Sequence, residues 1–175
     1  MNSLIKHSSE SWALCLVGLT GAMLFVALVM EHAFAMAPCP LCLMQRIWFF
    51  LAGAIAYASL LHNPRWGIYP LCSMIAALVG GGFSIRQLYL QNLPADQVPA
   101  CGPDMAYMLE VFPLSDVLIA MTQGTGDCAE VAWSFLGLSI PGWALLAFAM
   151  IIVLSLIHIS EPTRRATISR MPSSA

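Results

Sequence analysis

The chain has 175 residues, of which 59% are hydrophobic and only 9% are charged. Soluble globular domains carry about 25% charged residues, so the composition excludes an ordinary soluble protein and predicts an integral membrane protein. The formal net charge is −2, which argues against a nucleic-acid partner. The length suits one domain.

Four apolar stretches are candidates for membrane helices, each of which needs about 20 mostly apolar residues. We predict helices at about 12–30, 47–61, 68–85 and 142–159. The fold class is therefore predicted to be all-α, an integral membrane four-helix bundle with a long loop between helices 3 and 4. The first stretch has some features of a signal peptide, but its apolar run exceeds the usual length of about 7–15 residues, which favours a retained helix.

The orientation follows from the few basic residues. Lys6 precedes the first helix and Arg65 joins the second to the third, so the positive-inside rule places both on the cytoplasmic side. With four spans, both termini are then cytoplasmic, and the acidic segment from Gln87 to Ile140 lies outside. Within it, residues 105–121 have the pattern of one or two short amphipathic helices at the lipid surface, interrupted at Pro113.

The last part of the chain, residues 154–175, differs in character from what precedes it. It resembles a translated sequencing-library adapter, so we interpret residues 1–153 as the membrane domain and 154–175 as a non-native tail. The alternative is a native basic tail on the cytoplasmic side. We therefore expect the functional residues to lie before residue 154.

The feature with the most chemical content is the C-x-x-C motif Cys39-Pro40-Leu41-Cys42 at the outer start of the second helix. Pro40 suits a first helical position, and a cysteine at a helix N-terminus has a lowered thiol pKa, which favours disulfide exchange. Arg46 follows Cys42 by four residues, on the same helix face, where its guanidinium can stabilise a thiolate or a quinone oxygen. Simple snorkelling of Arg46 to lipid headgroups is the alternative.

Two more cysteines, Cys101 and Cys128, lie in the outer segment, where disulfides persist. They can form an inert structural disulfide, or a second exchangeable pair that receives electrons from a soluble partner. Four thiolates can also bind zinc, but Cys101 and Cys128 do not form a second short-spaced motif, so we predict redox chemistry and no metal. Cys15 and Cys72 fall inside apolar stretches and are interpreted as small buried residues.

These motifs together resemble the DsbB family of bacterial inner-membrane disulfide bond formation proteins, over about residues 10–153. The matching segments are Pro38-Cys39-Pro40-Leu41-Cys42 with Gln45-Arg46, Leu90-Gln91-Asn92-Leu93-Pro94, Pro99-Ala100-Cys101-Gly102-Pro103, Gly126-Asp127-Cys128-Ala129-Glu130 with Trp133, and Phe135-Leu136-Gly137-Leu138-Ser139-Ile140-Pro141. The C-terminus departs from the family pattern.

The resemblance implies an enzyme, a quinone-dependent protein thiol oxidoreductase in the inner membrane with its redox cysteines in the periplasm. The implied partner is a DsbA-like periplasmic thiol oxidant, and the implied cofactor is ubiquinone, or menaquinone under anaerobic conditions. Reduced DsbA would attack Cys101 of a Cys101–Cys128 disulfide, and Cys128 would exchange with the inner pair through Cys39. Cys42 would be freed as a thiolate beside the quinone and stabilised by Arg46, with Gln45 as a further candidate contact. By their position at the outer end of the third helix, Arg86 and Gln87 can approach the quinone headgroup or only anchor the interface.

Two other functions remain open from the sequence. One is a metal-binding or purely structural four-span protein, whose cysteines are zinc ligands or staples. The other is a different four-helix quinone–thiol oxidoreductase, similar to the vitamin K epoxide reductase group, which has another arrangement of cysteines.

Overall fold

The computed structural model describes residues 2–62, 67–94, 96–103 and 105–168, and for residues 2–9, 106 and 160–168 it describes the backbone alone. Within these ranges the chain is mostly helical. The helices are α1 (Asn2–Ala33), α2 (Pro40–Leu61), α3 (Ile68–Gln91), α4 (Met105–Val111), α5 (Leu114–Gln123) and α6 (Ile140–Ile168), with a 3-10 helix at Gly126–Ala129 and strands β1 (Ser134–Phe135) and β2 (Leu138–Ser139).

Four of the described helices are long and apolar enough to cross a membrane, over Glu10–Ala33, Pro40–Leu61, Ile68–Gln91 and Ile140–Ile159. Their outer faces expose large apolar side chains such as Phe25, Phe50 and Met150. Water would not tolerate so much contiguous apolar surface, whereas lipid does. The predicted four-helix membrane bundle is confirmed.

The four long helices pack in a ring, in which α3 contacts α2 and α6 while α1 contacts α2 and closes on α6. The centre of the core is a stacked pair of rings, Phe49 and Phe148, whose centroids are 3.9 Å apart. Gly80 makes this stacking possible, because a Cβ there would lie 2.3 Å from Cζ of Phe148. Small residues allow close helix contact inside a membrane, where apolar burial does not drive association.

The helices are longer than the apolar stretches in the sequence. The second begins at Pro40 rather than near residue 47, and the third continues to Gln91 rather than ending near residue 85. Hydropathy alone ends a span at the first polar residues, but Gln45 and Gln87 are buried here. They are accommodated because their amides hydrogen-bond to each other.

The loop between α3 and α6 contains the short helices α4 and α5, which are separated at Pro113 as predicted. The sequence did not predict the small hairpin that follows. Strands β1 and β2 pair antiparallel, and Leu136 and Gly137 between them have φ values of 53° and 78°. Two positive φ values are typical of a type I′ turn, for which Leu-Gly is a weak signal because leucine rarely adopts this conformation.

Some predictions from the sequence concern residues outside this description. Arg65 and the side chain of Lys6, on which the predicted orientation depends, are among them. Residues after Val153 continue α6 to Ile168, since the tail begins with an apolar run. The proposed boundary at residue 153 and the non-native tail stay predictions.

Candidate thiol site at the loop end of the bundle

The C-x-x-C motif forms the start of α2, at the end of the bundle from which the long loop emerges. Cys39 is the N-cap, with extended backbone angles, and Pro40 occupies the first turn. Proline suits this position because its missing N–H would have no partner within the helix. Cys42 follows in the same turn, so the two sulfurs converge, with 3.0 Å between their Sγ atoms.

A buried glutamine of α3 contacts both of these sulfurs. Nε2 of Gln87 lies 3.3 Å from Sγ of Cys39 and 3.3 Å from Sγ of Cys42. Oε1 of Gln87 accepts a hydrogen bond from Nε2 of Gln45 at 2.8 Å. Gln45 was predicted to contact quinone. This amide pair could not be predicted, because only the packing of α2 on α3 brings the two residues together.

Cys128 comes to the same place from the loop. It is fully buried in a small cluster with Leu41 and Leu90, against which Cys39 also packs. Gly124 allows this close approach, because it has a φ of +81° and a Cβ there would lie 2.7 Å from Cδ1 of Leu41. The structure therefore brings Cys39, Cys42 and Cys128 together at the start of α2.

The hydrogen bonds around Cys128 favour its thiolate. The thiol of Cys39 hydrogen-bonds to Cys128 and lowers the pKa of Cys128 to about 6 against the opposing effect of burial, with further help from the backbone N–H groups of Leu41 and Thr125. The same hydrogen bond raises the pKa of Cys39, and the contact with Cys42 and burial act in the same direction. Within this pair the hydrogen bond thus favours the thiol on Cys39 and the thiolate on Cys128.

The fourth cysteine has a different environment. Cys101 is exposed, and its thiol hydrogen-bonds to the carboxylate of Asp127, which raises its pKa, with Glu130 contributing at longer range. The loop segment that carries Cys101 is attached to the Cys128 segment by a hydrogen bond from the Gly126 N–H to the Ala100 carbonyl, at 3.1 Å. Cys101 thus lies at the solvent side of the same short segment that buries Cys128.

Arg46 points toward α1. Its guanidinium forms an ion pair with Glu31, and its Nη2 donates to the carbonyl oxygen of Ala27 at 3.1 Å. Glu31 as a partner was missed, because nothing in the sequence relates a residue at the end of α1 to one in α2. The predicted contact of Arg46 with a thiolate or a quinone stays a prediction.

Arg86 lies on the exposed side of α3. Its Nε donates to the carbonyl oxygen of Gln123, 3.2 Å away at the end of α5, and its guanidinium carbon lies 5.7 Å from the ring centroid of Tyr89. These contacts attach the loop to the bundle, and the contact of Arg86 with quinone stays a prediction.

The two remaining cysteines were interpreted as buried, and the structure differs. Cys15 is exposed on the bundle surface and Cys72 is half-buried.

Comparison with known proteins agrees with this arrangement of residues. The model of the family described as "Disulfide bond formation protein DsbB" matches residues 9–158. A disulfide bond formation protein B of Hahella chejuensis is 52% identical over 138 residues, which cover 77% of this chain and 83% of that protein. One of Marinobacter nauticus is 52% identical over 152 residues, covering 85% and 90%.

A third protein of that name, from Nitrosococcus oceani, is 46% identical over 79% of this chain and 83% of its own length. No solved structure gives a significant match. The family match covers the four spans and the loop that carries the cysteines. The chain belongs to the DsbB family, membrane thiol oxidoreductases of disulfide bond formation that oxidise DsbA and transfer the electrons to quinone.

Proposed function

We propose that Cys101, Cys128, Cys39 and Cys42 carry electrons in that order, from a DsbA-like periplasmic thiol oxidant to quinone in the bacterial inner membrane. The observation that carries this order is the burial of Cys128 against Cys39. Cys101 is the exposed sulfur of the loop, which suits it to meet a soluble protein. Both termini would then be cytoplasmic, with the four cysteines on the periplasmic side.

The exchange steps balance in bonds and electrons. A thiolate of reduced DsbA attacks Cys101 of the Cys101–Cys128 disulfide, forming a mixed disulfide and releasing Cys128 as a thiolate. The second DsbA thiol resolves the mixed disulfide, which leaves DsbA oxidised and Cys101 reduced. Cys128 attacks Cys39 of the Cys39–Cys42 disulfide, so that a Cys128–Cys39 bond forms and Cys42 leaves with the electron pair. Attack by Cys101 on Cys128 then restores the outer disulfide and leaves the inner pair reduced.

The pKa directions support these assignments. Cys128 is released as a thiolate when DsbA attacks Cys101, and the backbone N–H groups of Leu41 and Thr125 lower its pKa whether or not Cys39 is a thiol, so Cys128 is a ready nucleophile. The carboxylate of Asp127 raises the pKa of Cys101, so Cys101 is the poorer leaving group of the outer disulfide and Cys128 the better one. Cys101 is therefore suited to be attacked by the partner's thiolate while it is part of a disulfide.

A groove further along α2 than Cys42 fits the tail of a quinone. A groove of about 310 Å³ runs along the seam of α1 and α2. It is lined by Val17, Thr20, Gly21, Leu24, Phe50, Gly53, Ala54 and Tyr57. It begins one helical turn beyond Arg46, a cation able to hold a ring oxygen, and its apolar lining matches an isoprenoid tail. When bound, quinone supplies the two-electron acceptor, taking two electrons and two protons to become quinol while Cys39 and Cys42 return to the disulfide.

Quinone reduction in membranes with reduced DsbA as the electron donor tests this proposal. The chain should produce quinol, and Cys42→Ser should not, because it lacks the sulfur that leaves with the electron pair. Cys15→Ser and Cys72→Ser are matched controls that should retain turnover. Unchanged turnover in Cys42→Ser would exclude the assigned role of Cys42.

A further inference from the structure

Gln87 is the residue that connects the chemistry of the C-x-x-C pair to the interior of the bundle. Its side chain is 3% exposed, and its amide nitrogen lies 3.3 Å from each of the two sulfurs. A carboxamide has two N–H donors on one nitrogen. Gln87 can therefore hydrogen-bond to both sulfurs without a change in its side-chain conformation.

The orientation of this amide is fixed by Gln45. Gln45 is 4% exposed, and its Nε2 donates to Oε1 of Gln87 at 2.8 Å. Oε1 of Gln87 accepts from Gln45 and also lies 3.6 Å from Sγ of Cys42, where it accepts from that thiol while the thiol is protonated. Nε2 of Gln87 presents its N–H groups to both sulfurs. Leaving a buried amide without a hydrogen-bond partner costs about 1–3 kcal/mol of stability. The hydrogen bond between Gln45 and Gln87 therefore holds both amides in this orientation.

We propose that Gln87 is a catalytic residue of the exchange and that Gln45 is its positioning residue. This inference rests on the proposed relay. When Cys128 attacks Cys39, the Cys39–Cys42 bond breaks and negative charge develops on Sγ of Cys42. The amide of Gln87 already lies beside that sulfur, so it stabilises the charge without reorganisation.

The reverse movement of charge uses the same donor. When Cys39 and Cys42 return to the disulfide, the charge leaves Cys42 while Gln87 remains in contact with both sulfurs. A neutral donor suits this role better than a cation, because it stabilises the thiolate less strongly and leaves it able to react. Arg46, the nearby cation of α2, is held instead by Glu31.

Gln87→Leu tests the proposal, since leucine has a similar volume and no donor. A hydrogen bond to a charged group contributes about tenfold to a hundredfold in an equilibrium or rate. We expect kcat for quinone reduction to fall by at least about tenfold with KM for DsbA unchanged. We also expect the pH midpoint of thiolate absorbance at 240 nm to rise in the reduced variant.

Gln45→Leu should change kcat and the midpoint in the same direction but less, because it only releases the orientation of Gln87. Ser84→Ala is the matched control on α3, since Ser84 is buried one turn earlier and its hydroxyl donates to the Gly80 carbonyl of its own helix. This control should leave kcat and the midpoint unchanged.

The inference is overturned if Gln87→Leu keeps the wild-type midpoint and kcat. If Gln87→Leu fails to fold, as judged by helical circular dichroism, Gln45→Leu decides instead, and wild-type values in that variant would equally overturn it. The thiolate titration needs neither DsbA nor quinone. Failure of the proposed relay, seen as quinol formation by Cys42→Ser, is thereby distinguished from failure of this inference.

Discussion

The start of α2 and the loop above it hold their cysteines in opposite surroundings. At the start of α2, Cys39 and Cys42 are partly buried and share an amide donor from Gln87. In the loop, Cys101 is exposed beside the carboxylate of Asp127. The amide of Gln87 can stabilise negative charge on Cys42, whereas the carboxylate of Asp127 opposes negative charge on Cys101. The loop therefore makes a sulfur accessible to a partner, the start of α2 can stabilise a thiolate, and the buried Cys128 connects the two regions.

The largest expected effect is the loss of quinone reduction, and two different reductants show which of the two regions each substitution affects. Cys101→Ala should abolish quinone reduction with reduced DsbA, because the partner has lost the sulfur it attacks. The same variant should retain quinone reduction with dithiothreitol, a small dithiol that can reduce the inner pair directly. Cys42→Ser should lose both activities. Loss of the dithiothreitol-driven reaction in Cys101→Ala would contradict the division of roles.

The groove along α1 and α2 is the proposed site of the quinone tail. Substitution of two glycines of α1 tests this assignment. Within the part of the chain that the structure describes, a Cβ at Gly21 or at Gly18 meets no atom within 4 Å. Of these two glycines, Gly21 lines the groove and Gly18 does not. Gly21→Leu should raise KM for a long-tailed quinone about tenfold, since losing about 60 Å² of tail contact at about 25 cal/mol/Å² costs about 1.5 kcal/mol.

Gly18→Leu is the control for that substitution and should leave KM unchanged. A quinone without a tail should bind both variants as it binds the wild type, as measured by quenching of tryptophan fluorescence. An equal effect of the two substitutions would mean that the groove holds ordinary lipid.

The connection between the two regions predicts a dependence on pH. Because the pKa of Cys128 is lowered to about 6 by the hydrogen bond from Cys39, its thiolate is present above pH 6 and is lost as the pH falls through 6. Removing the donor in Cys39→Ala should move the titration of Cys128 upward, toward the ordinary thiol range. Absorbance at 240 nm of the reduced protein, compared with Cys128→Ala to identify the signal, measures this shift. An unchanged midpoint in Cys39→Ala would exclude the hydrogen bond.

The smallest effect concerns the exposed side of the loop. Asp127 raises the pKa of Cys101, so Asp127→Asn should lower it and speed alkylation of reduced Cys101 by iodoacetamide at pH 8 by a few-fold. Asp116→Asn, on α5, serves as the control and should leave the rate unchanged. A slower alkylation in Asp127→Asn would contradict the claim that the carboxylate raises the pKa of Cys101.

Much of this architecture could be predicted from the sequence, because membrane helices and a C-x-x-C motif are local signals. The four spans, the break at Pro113 and the position of Cys39 as the residue before a helix all follow from neighbouring residues. Pro40 indicated the start of α2, but the membrane span was placed only from about residue 47, because Gln45 is polar and its burial depends on Gln87, far away in sequence. The ion pair of Arg46 with Glu31 was missed for the same reason.

The central claim is that the loop passes electrons to the bundle through direct contact of Cys128 with Cys39. The double variant Cys42→Ser/Cys101→Ala retains only these two of the four proposed redox cysteines, and mild oxidation followed by peptide mapping shows whether they join. We predict a quantitative Cys39–Cys128 disulfide, with Cys15 and Cys72 still free to alkylate. Recovery of Cys39 and Cys128 as two separate thiols would contradict the relay.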